Sequence, residues 1–184
     1  MREVKVSRKT RYTKKALQDS LIELMKEKPI SKITIKELCE TADINRTTFY
    51  THYASQYDLL RAIERETLDW AEEAISAFFT KTDKGEVRAL IQSILQYIIE
   101  NSGHLQVLMS ERGDIGFQKQ LFTSIYKKCG ITGQNGGDDT AKECLFVFVV
   151  TGSIGLIQHW LKNGLKEPAE QIAEIIYNIA ATVT

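Results

Sequence analysis

At 184 residues the chain has room for one or two domains, and 43% apolar content is enough for a buried core. Its 24 Lys/Arg and 24 Asp/Glu cancel, which by itself speaks against nucleic acid. Residues 1–52, however, carry 12 Lys/Arg against 7 Asp/Glu, a net +5, and residues 53–184 carry 12 against 17, a net −5. A basic N-terminal end on an acidic body is expected when one end alone meets phosphate; charge that merely fluctuates along a surface gives the same count.

Residues 1–10 hold Arg2, Lys5, Arg8 and Lys9 without apolar periodicity. They read as a mobile arm continuing into Arg11, Lys14 and Lys15, able to lie along a phosphate backbone; a solvated tail has the same composition. The spacing of Ala16, Leu17, Leu21, Leu24 and Met25 predicts a first helix over about Tyr12 to Lys28, ended by Pro29. Thr34-Ile35-Lys36-Glu37 is a capping box, opening a short helix to about Thr41 with Ile35, Leu38 and Cys39 inward. Ala42-Asp43-Ile44 makes a turn, and Asn45, a preferred N-cap, opens another helix. That helix buries Phe49 and Tyr53 and leaves Arg46, Thr47, Thr48, Tyr50, Thr51 and His52 available. A helix, a short turn and a second helix with polar groups outward fit a helix-turn-helix DNA reader. Arg pairs with guanine edges, a Thr methyl touches the thymine methyl, and Tyr and His reach phosphate oxygens. A helical hairpin that only packs on a core has the same spacing.

Ser55-Gln56-Tyr57-Asp58 caps a long helix to about Phe79, with Leu59, Leu60, Ile63, Thr67, Trp70, Ala74 and Phe78 at helical spacing. Such a helix is a physical route for coupling the head to the body. Asp83 caps the next, which carries Val87, Leu90, Ile91, Ile94, Leu95 and Ile98 to about Asn101. Gly113 to Gly116 interrupts a less periodic stretch, after which Phe117 to Tyr126 suggests another helix. Cys129 to Asp139, rich in glycine, reads as a flexible loop. Cys144 to Leu161 has eighteen residues without a formal charge, twelve of them apolar. Thr151, Gly152, Ser153, Gln158 and His159 interrupt it, so a buried helix is expected rather than a membrane span. Pro168 starts the last helix, with Ile172, Ile175, Ile176, Ile179 and Ala180 as its stripe.

Ala42 to Tyr53, followed by Asp58-Leu59-Leu60, resembles the DNA-binding signature of TetR-family transcriptional regulators, over roughly the first third of the chain. The resemblance implies an all-α fold of about nine helices. An N-terminal three-helix helix-turn-helix domain (1–53, with its basic arm) is joined by a long helix to a C-terminal regulatory and dimerisation domain (54–184). It implies a homodimer on double-stranded DNA, pairing through the last two helices, with ligand binding in the body driving the heads out of register. Two positions depart from the family: Asp43 stands where glycine is frequent, and Gln56 where a phosphate-contacting Lys is usual. The DNA-binding set is then Lys14, Thr34, Asn45, Arg46, Thr47, Thr48, Tyr50, Thr51, His52 and Gln56. The expected interface is Gly152, Gly155, Leu156, His159, Trp160, Ile172, Ile175, Ile176 and Ile179.

For an effector the sequence offers a shell of Trp70, Phe78, Tyr97, His104, Met109, Phe117, Phe122, Tyr126 and Phe146, with His159 as a further polar point; ordinary core packing uses the same residues. The three cysteines include no Cys-x-x-Cys pair, which leaves neither a disulfide framework nor a zinc site and suits a reducing compartment. No apolar run opens the chain, so a cytoplasmic protein off the membrane is expected. No Ser/His/Asp set, Gly-rich phosphate loop or paired carboxylates in an apolar stretch point to catalysis, and no cofactor is expected. Cys144, at the start of an apolar helix, is expected to be a buried, inert thiol. The expected function is a repressor relieved by a small molecule, or an activator of the same fold working through a protein partner.

Overall fold

The structure, a computed structural model, describes residues 8–78, 83–128 and 140–181, with side chains except those of Phe78, Lys84, Lys128, residues 140–143 and Phe146. The expectations for the first arm residues, for the loop from Cys129 to Asp139, and for Phe78 and Phe146 lie outside the described residues or side chains. The described residues form nine α-helices and one 3-10 turn, with no strand among them. They group into two compact units: Met1–Thr67 with Val107–Phe117, and Leu68–Gln106 with Gln118–Thr184.

The first unit begins with α1 (Arg8–Glu27), four residues earlier than its apolar stripe suggests, because the turns bearing Arg8, Lys9 and Arg11 are helical though exposed. Leu17, Leu21, Leu24 and Met25 are buried along its inner face, and Ile22 joins them. Each such side chain contributes roughly 1.5–3 kcal/mol by leaving water. After Pro29 the chain makes a 3-10 turn (Ile30–Lys32) before α2 (Ile35–Thr41) and α3 (Arg46–Tyr50). α1 packs on α2 and α2 on α3.

Only half of the expected capping box forms at α2. The Thr34 hydroxyl accepts the Glu37 N–H at 3.2 Å, but the Glu37 carboxylate takes the Lys28 ammonium, which lowers its pKa. At α4 (Gln56–Phe78) Ser55 Oγ accepts the Asp58 N–H at 3.2 Å, and the Asp58 carboxylate accepts the N–H of Ala54, one residue before the cap, at 3.1 Å. The segment 107–117 closes the unit. Val107, Leu108 and Phe117 are buried, and Arg112 donates to the Met25 carbonyl near the end of α1 at 3.3 Å. Gly113 permits the turn, since a Cβ there would lie 2.0 Å from the Leu108 carbonyl oxygen.

The second unit holds α5 (Lys84–Glu100), most of α6 (Ser102–Leu108) and of α7 (Ile115–Lys128), α8 (Thr140–Lys162) and α9 (Ala169–Ala181). Its core joins Ile91, Leu95 and Ile98 of α5 with Leu105, Trp160, Leu161, Ile172, Ala173 and Ile176. Trp160 is 1% exposed and donates its indole N–H to the Glu167 carbonyl at 3.0 Å. α8 ends where Gly164 (φ 79°) and Leu165 (φ 55°) turn left-handed, bringing the Leu165 N–H to the Trp160 carbonyl at 2.9 Å.

Trp160 of α8 and Ile172 and Ile176 of α9, expected at a subunit interface, lie in this unit's own core, where α9 packs against α5. Two expectations are corrected. α8 is not buried all round. Only its C-terminal end turns inward, leaving Leu145, Phe148, Gly152, Gly155 and His159 exposed in one row. Cys144 at the start of that row is exposed rather than buried.

Candidate nucleic-acid interface

The recognition element is set by its two ends and its underside. Asn45, extended at φ −66° and ψ 141°, accepts the Thr47 N–H on its side-chain oxygen at 2.7 Å and so caps α3. Asp43 turns the chain into it at φ 52°, the left-handed geometry that Asp tolerates and Gly favours. Beneath, Phe49 is fully buried and meets Tyr53 at 5.9 Å and Tyr50 edge-on at 5.5 Å. α3 closes at Tyr50, but the Tyr53 N–H still reaches the Phe49 carbonyl at 3.0 Å, so one further turn carries Tyr53 to the core. Its hydroxyl is buried without a partner, and burial first, then the charge of Glu66, pushes it up to about 12.

The outer face carries Arg46, Thr47, Tyr50 and Thr51, all exposed, while Thr48 and His52 are half-buried. The Thr51 hydroxyl donates to the Thr48 carbonyl at 2.6 Å, so its oxygen remains an acceptor and its methyl a contact. Thr34 and Asn45 are exposed and spend one oxygen on capping; the Thr34 O–H and the Asn45 amide N–H groups can still face an acceptor. Lys14 and Gln56 are half-exposed on α1 and at the start of α4. Between α2 and α3 runs an open groove of about 320 Å³ lined by Lys36, Cys39, Glu40, Asp43, Ile44, Asn45 and Arg46. Burial raises the Cys39 thiol there, which fits a packed thiol rather than a nucleophile. Sequence reasoning does not pick out Lys36, which lies on this groove with Arg46; its position two residues after the Thr34 cap is the signal that marks it.

The residues expected to line an effector shell are divided between the two units. Met109 and Phe117 belong to the first unit, and Trp70, Tyr97, His104, Phe122 and Tyr126 to the second. Within the second, Trp70 and Tyr97 stack at 3.7 Å with their planes 8° apart, and Tyr126 meets the Thr151 hydroxyl at 3.4 Å. Of the expected interface residues, Gly152, Gly155, His159, Ile175 and Ile179 are exposed and Leu156 packs partly on the core. Among the described residues no group of three or more His, Cys, Asp or Glu could hold a metal ion, and no helix is long and apolar enough to cross a membrane.

Comparison with known proteins bears on both ends of the chain. Residues 19–63 match the family described as bacterial regulatory proteins, tetR family, and residues 85–182, more than half of the chain, match a transcriptional regulator C-terminal region of TetR type. The uncharacterized HTH-type transcriptional regulator YxbF of Bacillus subtilis (strain 168) is 33% identical over 109 residues. That is 58% of this chain and 29% of YxbF, so the match spans under a third of that protein's length. Among solved structures, the dihydroxyacetone kinase operon activator DhaS superposes with a TM-score of 0.58 at 18% identity, over 93% of this chain and 96% of its own. The transcriptional regulator FadR from Bacillus subtilis, in complex with stearoyl-CoA, gives 0.62 at 12% identity, over 92% and 98%. At such identities these two likenesses speak to the fold alone. With an all-α fold, a capped helix-turn-helix and family matches at both ends, the chain belongs to the TetR family of transcriptional regulators.

Proposed function

We propose that the protein is a homodimeric repressor that binds a palindromic operator through α3 and is released by a small-molecule effector. The observation that carries this reading is the row Arg46, Thr47, Tyr50 and Thr51, outward on a helix whose underside is anchored by Phe49 and whose start is capped by Asn45. Arg46 reads a guanine edge and Thr47 a thymine methyl. Tyr50, Thr51, His52, Thr34, Gln56 and Lys14 hold phosphates. Residues 1–53 act as the head and 54–184 as the body, working where the chromosome lies, in the cytoplasm.

The pairing surface is the open row of α8 (Leu145, Phe148, Gly152, Gly155 and His159) with Ile175 and Ile179 of α9. A two-fold pair presents two α3 helices to half-sites about 34 Å apart or a multiple of that. The effector is an apolar molecule taken by the aromatic part of the body, around Trp70, Tyr97, Phe122 and Tyr126. The reading draws support from FadR, a protein of the same fold in complex with stearoyl-CoA.

The test is titration of fluorescent genomic fragments from around the coding region at two salt concentrations. Arg46→Ala should lose roughly 1–3 kcal/mol of operator preference, whereas Lys14→Ala should weaken all sequences alike and lower the salt slope by about one. An Arg46→Ala variant with the parent's preference for operator over scrambled DNA would remove the direct-readout role. Activation is the second reading, favoured by the likeness to DhaS, whose name is that of an activator. Reporter output that rises on deleting the protein supports repression, and output that falls supports activation.

A further inference from the structure

The groove between α2 and α3 is lined by one cation from each helix, Lys36 and Arg46. The apolar residues beside them are packed inward, Cys39 at 4% exposure and Ile44 half-buried. The turn between the helices fixes the frame. Across the left-handed Asp43, the Ala42 N–H bonds to the Leu38 carbonyl at 3.0 Å and the Ile44 N–H to the Cys39 carbonyl at 2.9 Å. The backbones that carry the two cations are therefore set by the fold, and only the side chains adapt.

Two carboxylates, Glu40 and Asp43, share the groove with them. The Glu40 carboxylate lies 3.9 Å from the Lys36 ammonium, one turn along α2, and the two side chains are 67% and 66% exposed. An ion pair so exposed is weak, so the ammonium is free to exchange it for an acceptor on DNA. The charge of the groove decides which acceptor that is. Phosphate oxygens are anionic and only accept hydrogen bonds, so two carboxylates beside them repel. The major-groove edge of a G·C pair is different, because it sets the guanine N7 and O6 acceptors beside the cytosine amino donor. Two cations with two carboxylates complement that mixed edge better than a row of phosphates.

We propose that Lys36 is a second base-reading residue, donating from α2 to the guanine of a G·C pair that neighbours the one read by Arg46. Glu40 is a positioning residue, holding the ammonium at the groove before DNA arrives. The inference rests on the reading of α3 as the recognition helix. It gives α2 a share in sequence choice, beyond the phosphate contact assigned to Thr34.

The test uses the full chain and the genomic fragment that it selects, with each G·C pair of that fragment changed in turn to A·T. Fluorescence anisotropy then gives one discrimination factor for each position. The parent should lose roughly tenfold at the Arg46 pair and roughly tenfold again at the Lys36 pair. Lys36→Ala should abolish the second loss and keep the first, and Arg46→Ala should do the reverse. Lys36→Arg should restore the guanine preference, since Arg donates to the same two acceptors. Glu40→Gln should shrink the discrimination at the Lys36 pair while binding to scrambled DNA tightens. Lys36 is exposed, and Ala and Arg are good helix formers, so these variants keep the head folded. A Lys36→Ala protein weakened by one common factor on every fragment makes Lys36 a phosphate contact and overturns the inference. So does one that keeps the parent's full set of factors. A parent indifferent to every base change overturns the reading of α3 as well.

Discussion

Asn45→Ala removes the side-chain oxygen that accepts the Thr47 N–H at 2.7 Å, at the head of a helix only 5 residues long. A helix that short has no stability of its own in water. It stands because Phe49 is fully buried beneath it and because its start is capped. Loss of an Asn cap costs about 1 kcal/mol. The Thr47 amide is at an exposed position, so water takes up part of the lost bond and no buried donor is orphaned. For a chain of this size the melting temperature should then fall by roughly 2–4 °C. If the loss is confined to α3, DNA affinity should drop by about fivefold, the equivalent of 1 kcal/mol. Asn45→Ser separates cap from contact: its hydroxyl restores the cap, so the melting temperature returns to near the parent's, while the amide N–H groups that could meet an acceptor on DNA are gone. Circular-dichroism melts and fluorescence anisotropy on the three proteins read both quantities. An Asn45→Ala protein that melts with the parent, or a Ser variant as unstable as the Ala variant, would refute the capping argument.

Other substitutions test the remaining links. Asp43→Gly relieves a left-handed backbone (φ 52°). Part of the gain of roughly 1 kcal/mol is offset by glycine's larger chain entropy, so the melting temperature should rise slightly. DNA binding should also tighten as a carboxylate leaves the Arg46 groove; a lower melting temperature would contradict the strain. Trp160→Phe removes part of a side chain 1% exposed and the donor to the Glu167 carbonyl. The expected cost is roughly 2 kcal/mol in thermal or urea melts, and a cost near zero would mean that the α5–α8–α9 core repacks freely. Phe148→Glu changes a residue 69% exposed on one chain, so each chain should keep its helicity. The proposed dimer should weaken by roughly thirtyfold or more in sedimentation, and an association unchanged by the substitution would move the proposed pairing surface off α8.

The parts of the fold that are legible in the sequence are those whose causes are local. Thr34, Asn45, Ser55 and Asp83 each announce a helix start, because a cap and the N–H it serves lie two or three residues apart, and the structure has all four bonds. The stripe Leu17, Leu21, Leu24 and Met25 is legible for the same reason, since a helix face repeats within one turn. What is not legible depends on partners far away along the chain. Arg112 meets the Met25 carbonyl 87 positions distant, and nothing around Gly113 indicates that this stretch belongs with the head. Glu64 is hidden in another way. Its spacing from Leu60 and Thr67 puts it on the inward face, but a charged residue is read as outward by default, so a buried carboxylate is passed over.

The last two helices expose the limit of periodicity itself. A repeat tells which face of a helix is apolar, not what covers it or how many partners it has. α9 has one strong stripe, and that stripe is used up on α5, so most of what looks available for a second subunit is already spent inside the chain. α8 has almost no polar face to orient it; it sends Trp160 and Leu161 inward at one end and leaves Leu145 and Phe148 out at the other. An apolar helix with two sides in use would look, in sequence, the same as one buried within a single chain. In the proposed dimer, α8 therefore supplies most of the shared surface, and α9 adds only the edge marked by Ile175 and Ile179.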